Sequence, residues 1–126
     1  MMLLDTCALL WLAQGGEELS PEARDRIDAV PAVYVSAISA FEIGLKCRSG
    51  KLKLPVPAAE WFQLTVDYHG LGVIPLDWNI CIAATELPPI HKDPCDRFII
   101  ATAKSMQLPV VTGDPVFALY GIEVLT

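Results

Sequence analysis

"HKDPCDRFIIATAKSMQLPVVTGD", residues 91–114, holds a helix start, an apolar helix body and an apolar strand in unbroken succession. Asp93 before Pro94 reads as an N-cap followed by proline at the first helical position, and Asp96 falls in the first turn, at the positive end of the helix dipole. "LPVVTGD" then reads as a strand running into a turn, with Asp114 before Pro115. Each aspartate has an ordinary structural task here. Three of them at the two ends of one helix-to-strand unit nevertheless raise the question of what else they do.

The same alternation extends outward in both directions. "MLLD" is a short apolar run ending at Asp5, followed by "TCALLWLA" with helical spacing and a break at residues 14–16. "SPEARDRIDAV" starts with Ser20 as cap and Pro21 in the first turn, and leads to the buried strand "AVYVS". "SAISAFEIGLKCRSG" is a helix ending at Gly50 with Lys46 and Arg48 in its last turns. Residues 58–69 form a further helix stopped by Gly70 and Gly72, "GVIPL" a strand, Asp77 caps another helix that Pro88 and Pro89 end, and "GIEVLT" is a weaker strand. Strands alternating with helices imply crossovers and a mostly parallel sheet covered on both faces, hence a three-layer α/β/α domain.

A length of 126 residues predicts a single domain spanning 1–126, with enough chain to bury roughly two-thirds of its unfolded surface. The hydrophobic fraction of 53% is high, yet no stretch reaches the roughly 18 uninterrupted apolar residues of a membrane helix. Residues 2–13 contain Asp5 and lack a basic leader and a cleavage site, so the expectation is a core segment of a cytoplasmic chain. Cys7, Cys47, Cys81 and Cys95 show no zinc-ligand spacing and are expected to be small buried thiols. A net charge of −6 repels polyanions, which excludes a generic nucleic-acid-coating protein and makes any nucleic-acid site local.

Ligands of open α/β sheets bind beyond the carboxyl ends of the strands. Asp5 ends the first strand, Asp114 follows "PVVT", Asp93 and Asp96 open the helix before it, and Glu42 lies six residues past "VYVS". Gathered at one sheet edge, these carboxylates need cations to offset their repulsion, and hard oxygen ligands select Mg2+ or Mn2+. Structural alternatives stand beside this: Ser39 with Glu42 fits a capping box, and Asp5 fits a cap for the first helix.

"LLDTCALLWL", "LSPEAR", "VSAISAFEIGLKCRSGKLKLP", "GVIPLD", "HKDPCDRFIIATA" and "VVTGDPVFALYGIEVL", in that order, resemble the PIN-domain ribonucleases, in particular the VapC-type toxins of toxin-antitoxin modules. The resemblance implies a PIN-like fold, divalent-metal-dependent cleavage of RNA, and a cognate antitoxin as partner. It places Asp5, Glu42, Asp96 and Asp114 as metal-binding and catalytic residues, with Asp93 capping its helix and supporting the site. This sequence departs from the pattern at Cys7, where histidine is frequent, at Cys95, a common aromatic position, and at Gly113, where arginine is often found.

The expected mechanism is in-line attack by metal-activated water on a phosphodiester. Arg97 is expected either to pair with a phosphate or to bridge an acid, and Thr6 and Thr112 to hydrogen-bond around the carboxylates. Lys46, Arg48, Lys51 and Lys53 hold four of the nine basic residues and form a candidate RNA track, with Lys92 and Arg97 nearer the chemistry; the same lysines also fit a solvated helix end. Trp11, Trp61, Phe62 and Trp78 read as core or interface, and a homodimer burying apolar helical faces is expected, with Trp61 and Phe62 as candidate contributors. A phosphotransferase of the haloacid dehalogenase type needs a second aspartate where Cys7 stands; a catalytically inactive PIN-like protein-binding domain is the remaining alternative.

Overall fold

The structure is a computed structural model that describes residues 1–126. Five strands, β1 (Met2–Leu4), β2 (Val33–Ser36), β3 (Gly72–Ile74), β4 (Val110–Val111) and β5 (Val124–Leu125), form one sheet in the order β3-β2-β1-β4-β5. Every pairing is parallel, so the sheet expected to be mostly parallel is wholly so. The helices are α1 (Thr6–Ala13), α2 (Pro21–Ala29), α3 (Ala37–Arg48), α4 (Ala58–His69), α5 (Trp78–Glu86) and α6 (Pro94–Met106), with a 3-10 helix over Pro115–Tyr120.

The two-residue period of a strand sends alternate side chains to opposite faces. Met2, Leu4, Val33, Val35, Val111 and Leu125 enter one core with α1, α2, α3 and α4, while Leu3, Val110 and partly buried Tyr34 and Val124 enter the other with α6 and the 3-10 helix. α5 lies outside α6, joined through Ile80, Ala84 and Ala101. α3 bridges the two faces, since Ile43 belongs to the first core and Ile38 to the second.

Three details differ from the sequence expectation. The strands expected over "GVIPL" and "LPVVTGD" pair only over residues 72–74 and 110–111, because Pro75 and Pro109 lack the N–H that a ladder uses. The cap of α3 is Ser36, whose hydroxyl accepts from Ile38 N–H at 3.1 Å, so Ser39 and Glu42 are inside the helix and form no capping box. Trp61 and Phe62 pack partly buried on the chain's own first core, whereas Trp78 is 73% exposed.

Candidate metal centre

β1 is flanked by β2 on one side and β4 on the other, which makes the β1/β4 boundary the point where the chain's connections diverge and a crevice opens. The ladder continues one residue past both strands: Asp5 N–H donates to the Val111 carbonyl at 3.1 Å. Asp5 therefore lies beside Thr112, whose hydroxyl accepts from Asp114 N–H at 3.0 Å. The amino ends of α1 and α6 arrive at the same edge, and α3 closes it.

The resulting cleft of about 360 Å3 is lined by Asp5, Thr6, Cys7, Trp11, Glu42, Lys46, Asp93, Asp96, Gly113 and Asp114. All four acids placed as ligands are in it, together with Asp93. Capping and site-building are not alternatives, because a carboxylate has two oxygens. Ala8 N–H donates to Asp5 Oδ1 at 2.8 Å, Cys95 N–H to Asp93 Oδ1 at 2.9 Å and Val116 N–H to Asp114 Oδ1 at 2.9 Å. Each aspartate is aimed by a helix start through Oδ1, which leaves its second oxygen for other partners at the site; that of Asp114 meets His91 Nε2 at 2.8 Å.

Five carboxylates face a single ammonium here. Burial raises the Asp5 carboxyl above its usual range, with the Thr112 hydroxyl and Ala8 N–H pulling back and the Glu42 and Asp114 charges adding to the rise. Burial pushes Asp96 up to about 7, helped by Asp93, Glu42 and Asp5 and opposed by His91. Glu42 Oε2 is 3.4 Å from Lys46 Nζ, but its Oε1 is buried without any hydrogen-bond partner. An orphaned carboxylate oxygen beside crowded acids is costly, and a divalent cation supplies the missing partner, so the residues fit one. Asp5, Glu42, Asp96 and Asp114 would hold it.

Other expected residues take different partners. Arg97 forms no ion pair with an acid: its guanidinium donates to the carbonyls of Ala84, Leu87, Pro88 and His91 at 2.8–3.1 Å, clamping the end of α5 and the loop after it. Thr6 lines the cleft, but its hydroxyl bonds Ser39 at 2.9 Å instead of a carboxylate. Cys7 is exposed, not a buried thiol, while Cys95 is buried and its thiol is pushed up to about 11 chiefly by that burial. A Cβ at Gly113 would come within 2.6 Å of Trp11 Cη2, so the indole fills the space a side chain at this position would take.

Of the candidate RNA residues, Lys46 and Lys51 line a second groove of about 670 Å3 with Lys92, and it shares Glu42, Lys46 and Asp93 with the acidic cleft. Arg48 and Lys53 are outside that groove. The sequence missed His91. Its Nε2 lies 2.8 Å from Asp114 Oδ2 and 3.0 Å from Asp96 Oδ2. It stands in a loop where no periodicity marks direction; its place two residues before the helix cap was the available signal.

The PIN domain family matches residues 2–123. The chain belongs to the PIN domain family. This PIN domain is 30% identical over 115 residues to "Ribonuclease VapC22" of Mycobacterium tuberculosis (strain ATCC 25618 / H37Rv), a match covering 90% of this chain and 86% of that relative. Among solved structures it resembles a chain of VapBC2 from Rickettsia felis bound to a DNA fragment from their promoter, with a TM-score of 0.72 at 13% identity over 98% of this chain and 97% of that chain. It also resembles a chain of DNA-bound VapBC from Salmonella typhimurium, with a TM-score of 0.70 at 19% identity over 98% and 97% of the two chains. At such identities these likenesses establish the fold of the PIN domain.

Proposed function

We propose that this PIN domain is a divalent-metal-dependent endoribonuclease, the toxin component of a toxin-antitoxin system, acting on RNA in the cytoplasm and restrained by a cognate antitoxin. The observation that carries the reading is the buried, partnerless Glu42 Oε1 among Asp5, Asp96 and Asp114 in one cleft. Mg2+ or Mn2+ bound there supplies activation of water and neutralisation of charge on the scissile phosphate. Asp5, Asp96 and Asp114 hold the cation, Glu42 binds it or orients water, and Thr112 and Asp93 keep their neighbours in place. Lys46, Lys51 and Lys92 guide the RNA phosphates toward the cleft. The presence of all four acids in one cleft speaks against an inactive protein-binding domain.

Two copies of the chain are proposed to associate through exposed apolar helical side chains, of which Trp78 and Ile82 on α5 and Leu64 and Tyr68 on α4 are examples. The deciding experiment incubates purified protein with single-stranded RNA, with Mg2+ or Mn2+ or with chelator. Cleavage that requires the cation is expected; an RNA left intact under both metals would sink the nuclease reading.

A further inference from the structure

His91 lies in the loop between α5 and α6, and its Nε2 hydrogen-bonds Asp114 Oδ2 while standing 3.0 Å from Asp96 Oδ2. The other ring nitrogen settles what kind of bond this is. Asp93 backbone N–H donates to His91 Nδ1 at 3.2 Å, so Nδ1 is the acceptor and the ring hydrogen belongs on Nε2. The residue is held along its main chain too: His91 N–H donates to Tyr120 Oη at 2.7 Å and its carbonyl accepts from Arg97 Nη1 at 3.1 Å. Phe117 packs edge-on against the ring at a centroid distance of 5.8 Å.

The His91, Asp96 and Asp114 ligand atoms lie within 4.8 Å of one another, a spacing that a metal triad would also show. A neutral imidazole bound to metal through Nε2, however, carries its hydrogen on Nδ1 and donates it to an outer partner. Here Nδ1 faces a donor. The orientation suits an N–H that donates to Asp114 with the Asp96 carboxylate beside it, which eases their repulsion, and it does not suit a ligand. Asp114 is thereby gripped at both oxygens, Oδ1 by Val116 N–H and Oδ2 by His91, while Asp96 meets His91 through Oδ2 alone.

We infer that His91 is a positioning residue for the metal centre: held in its Nε2–H form by the Asp93 amide, it bridges Asp96 and Asp114 and presents them to a divalent cation that it does not itself bind. This rests on the metal-dependent reading above.

The test uses Mn2+, whose binding to metal-stripped protein is followed by electron paramagnetic resonance, and whose bound state reveals a coordinated imidazole nitrogen by spin-echo modulation. Wild-type protein is expected to bind Mn2+ without a coordinated nitrogen. His91→Ala is expected to bind it about 10- to 100-fold more weakly, and His91→Gln, which retains an N–H donor, to recover part of the loss. A coordinated nitrogen in the wild type that His91→Ala or His91→Gln removes would make His91 a ligand and overturn the proposal. Affinity in the variants equal to or tighter than wild type would overturn it as well, while leaving metal-dependent cleavage intact as a property of the acids. Wild-type protein that binds no Mn2+ would overturn both the inference and the reading on which it rests. If His91→Ala fails to fold, the wild-type spectrum and His91→Gln still decide.

Discussion

Burial and the charges of Asp93, Glu42 and Asp5 push the Asp96 carboxyl up to about 7 against the opposing pull of His91, whereas the unfolded chain leaves it near the ordinary value of about 3.9. The folded state then binds the extra proton between those values, so the contribution of Asp96 to stability is intact below about pH 4 and is lost as the pH rises through about 7. In chelator, the stability of wild type relative to Asp96→Asn should therefore decline across that window, measured by thermal melts at each pH. A difference that stays flat with pH would show that Asp96 is not under this strain. Above pH 7 in chelator the variant should melt at the wild-type temperature or higher, because one of the crowded charges is gone. Its metal-dependent RNA cleavage should be abolished, since an amide keeps the shape but not the charge that holds the cation. A variant that cleaves at the wild-type rate would remove Asp96 from the site.

Arg97 ties two elements together. Its fork satisfies Ala84 and Leu87 carbonyls at the end of α5 and the Pro88 and His91 carbonyls of the following loop, all from the first turn of α6. Arg97→Ala should lower stability by about 1.5–3 kcal/mol in urea unfolding, and Arg97→Lys should restore little, because one ammonium cannot span the fork. Wild-type stability in Arg97→Ala would refute the clamp. At this scale the sequence was largely legible: caps at Asp5, Ser20, Asp77 and Asp93 set four helix starts, and alternating apolar residues set the sheet faces. The helix read from Ser36 onward starts there, and the alternative of a capping box at Ser39 and Glu42 arose because the two serines offer the same chemistry. The acids were legible through strand ends. Arg97 and His91 were not, because long or loop-borne side chains choose their partners in three dimensions, and no local pattern encodes which carbonyl or carboxylate is within reach.

Across the whole molecule, a net charge of −6 opposes RNA except where Lys46, Lys51 and Lys92 border the acidic cleft. Replacing Lys51 and Lys92 by alanine should weaken RNA binding and flatten its salt dependence by about 0.7 in logarithmic slope for each phosphate that is no longer neutralised. A slope equal to wild type would place the RNA elsewhere. Light scattering at micromolar concentration should give twice the 13.7 kDa mass of the chain, and a monomer would contradict the proposed pairing. The sheet order carries one more consequence. β1 is made from residues 2–4, yet its partner β4 comes from residues 110–111, so Asp5 meets Asp114 only after every residue between them has been made. While the protein is being synthesised, its first strand waits on the ribosome's surface without its neighbour, and the acids cannot gather around a cation. A site built in this order stays incomplete until translation has passed Asp114.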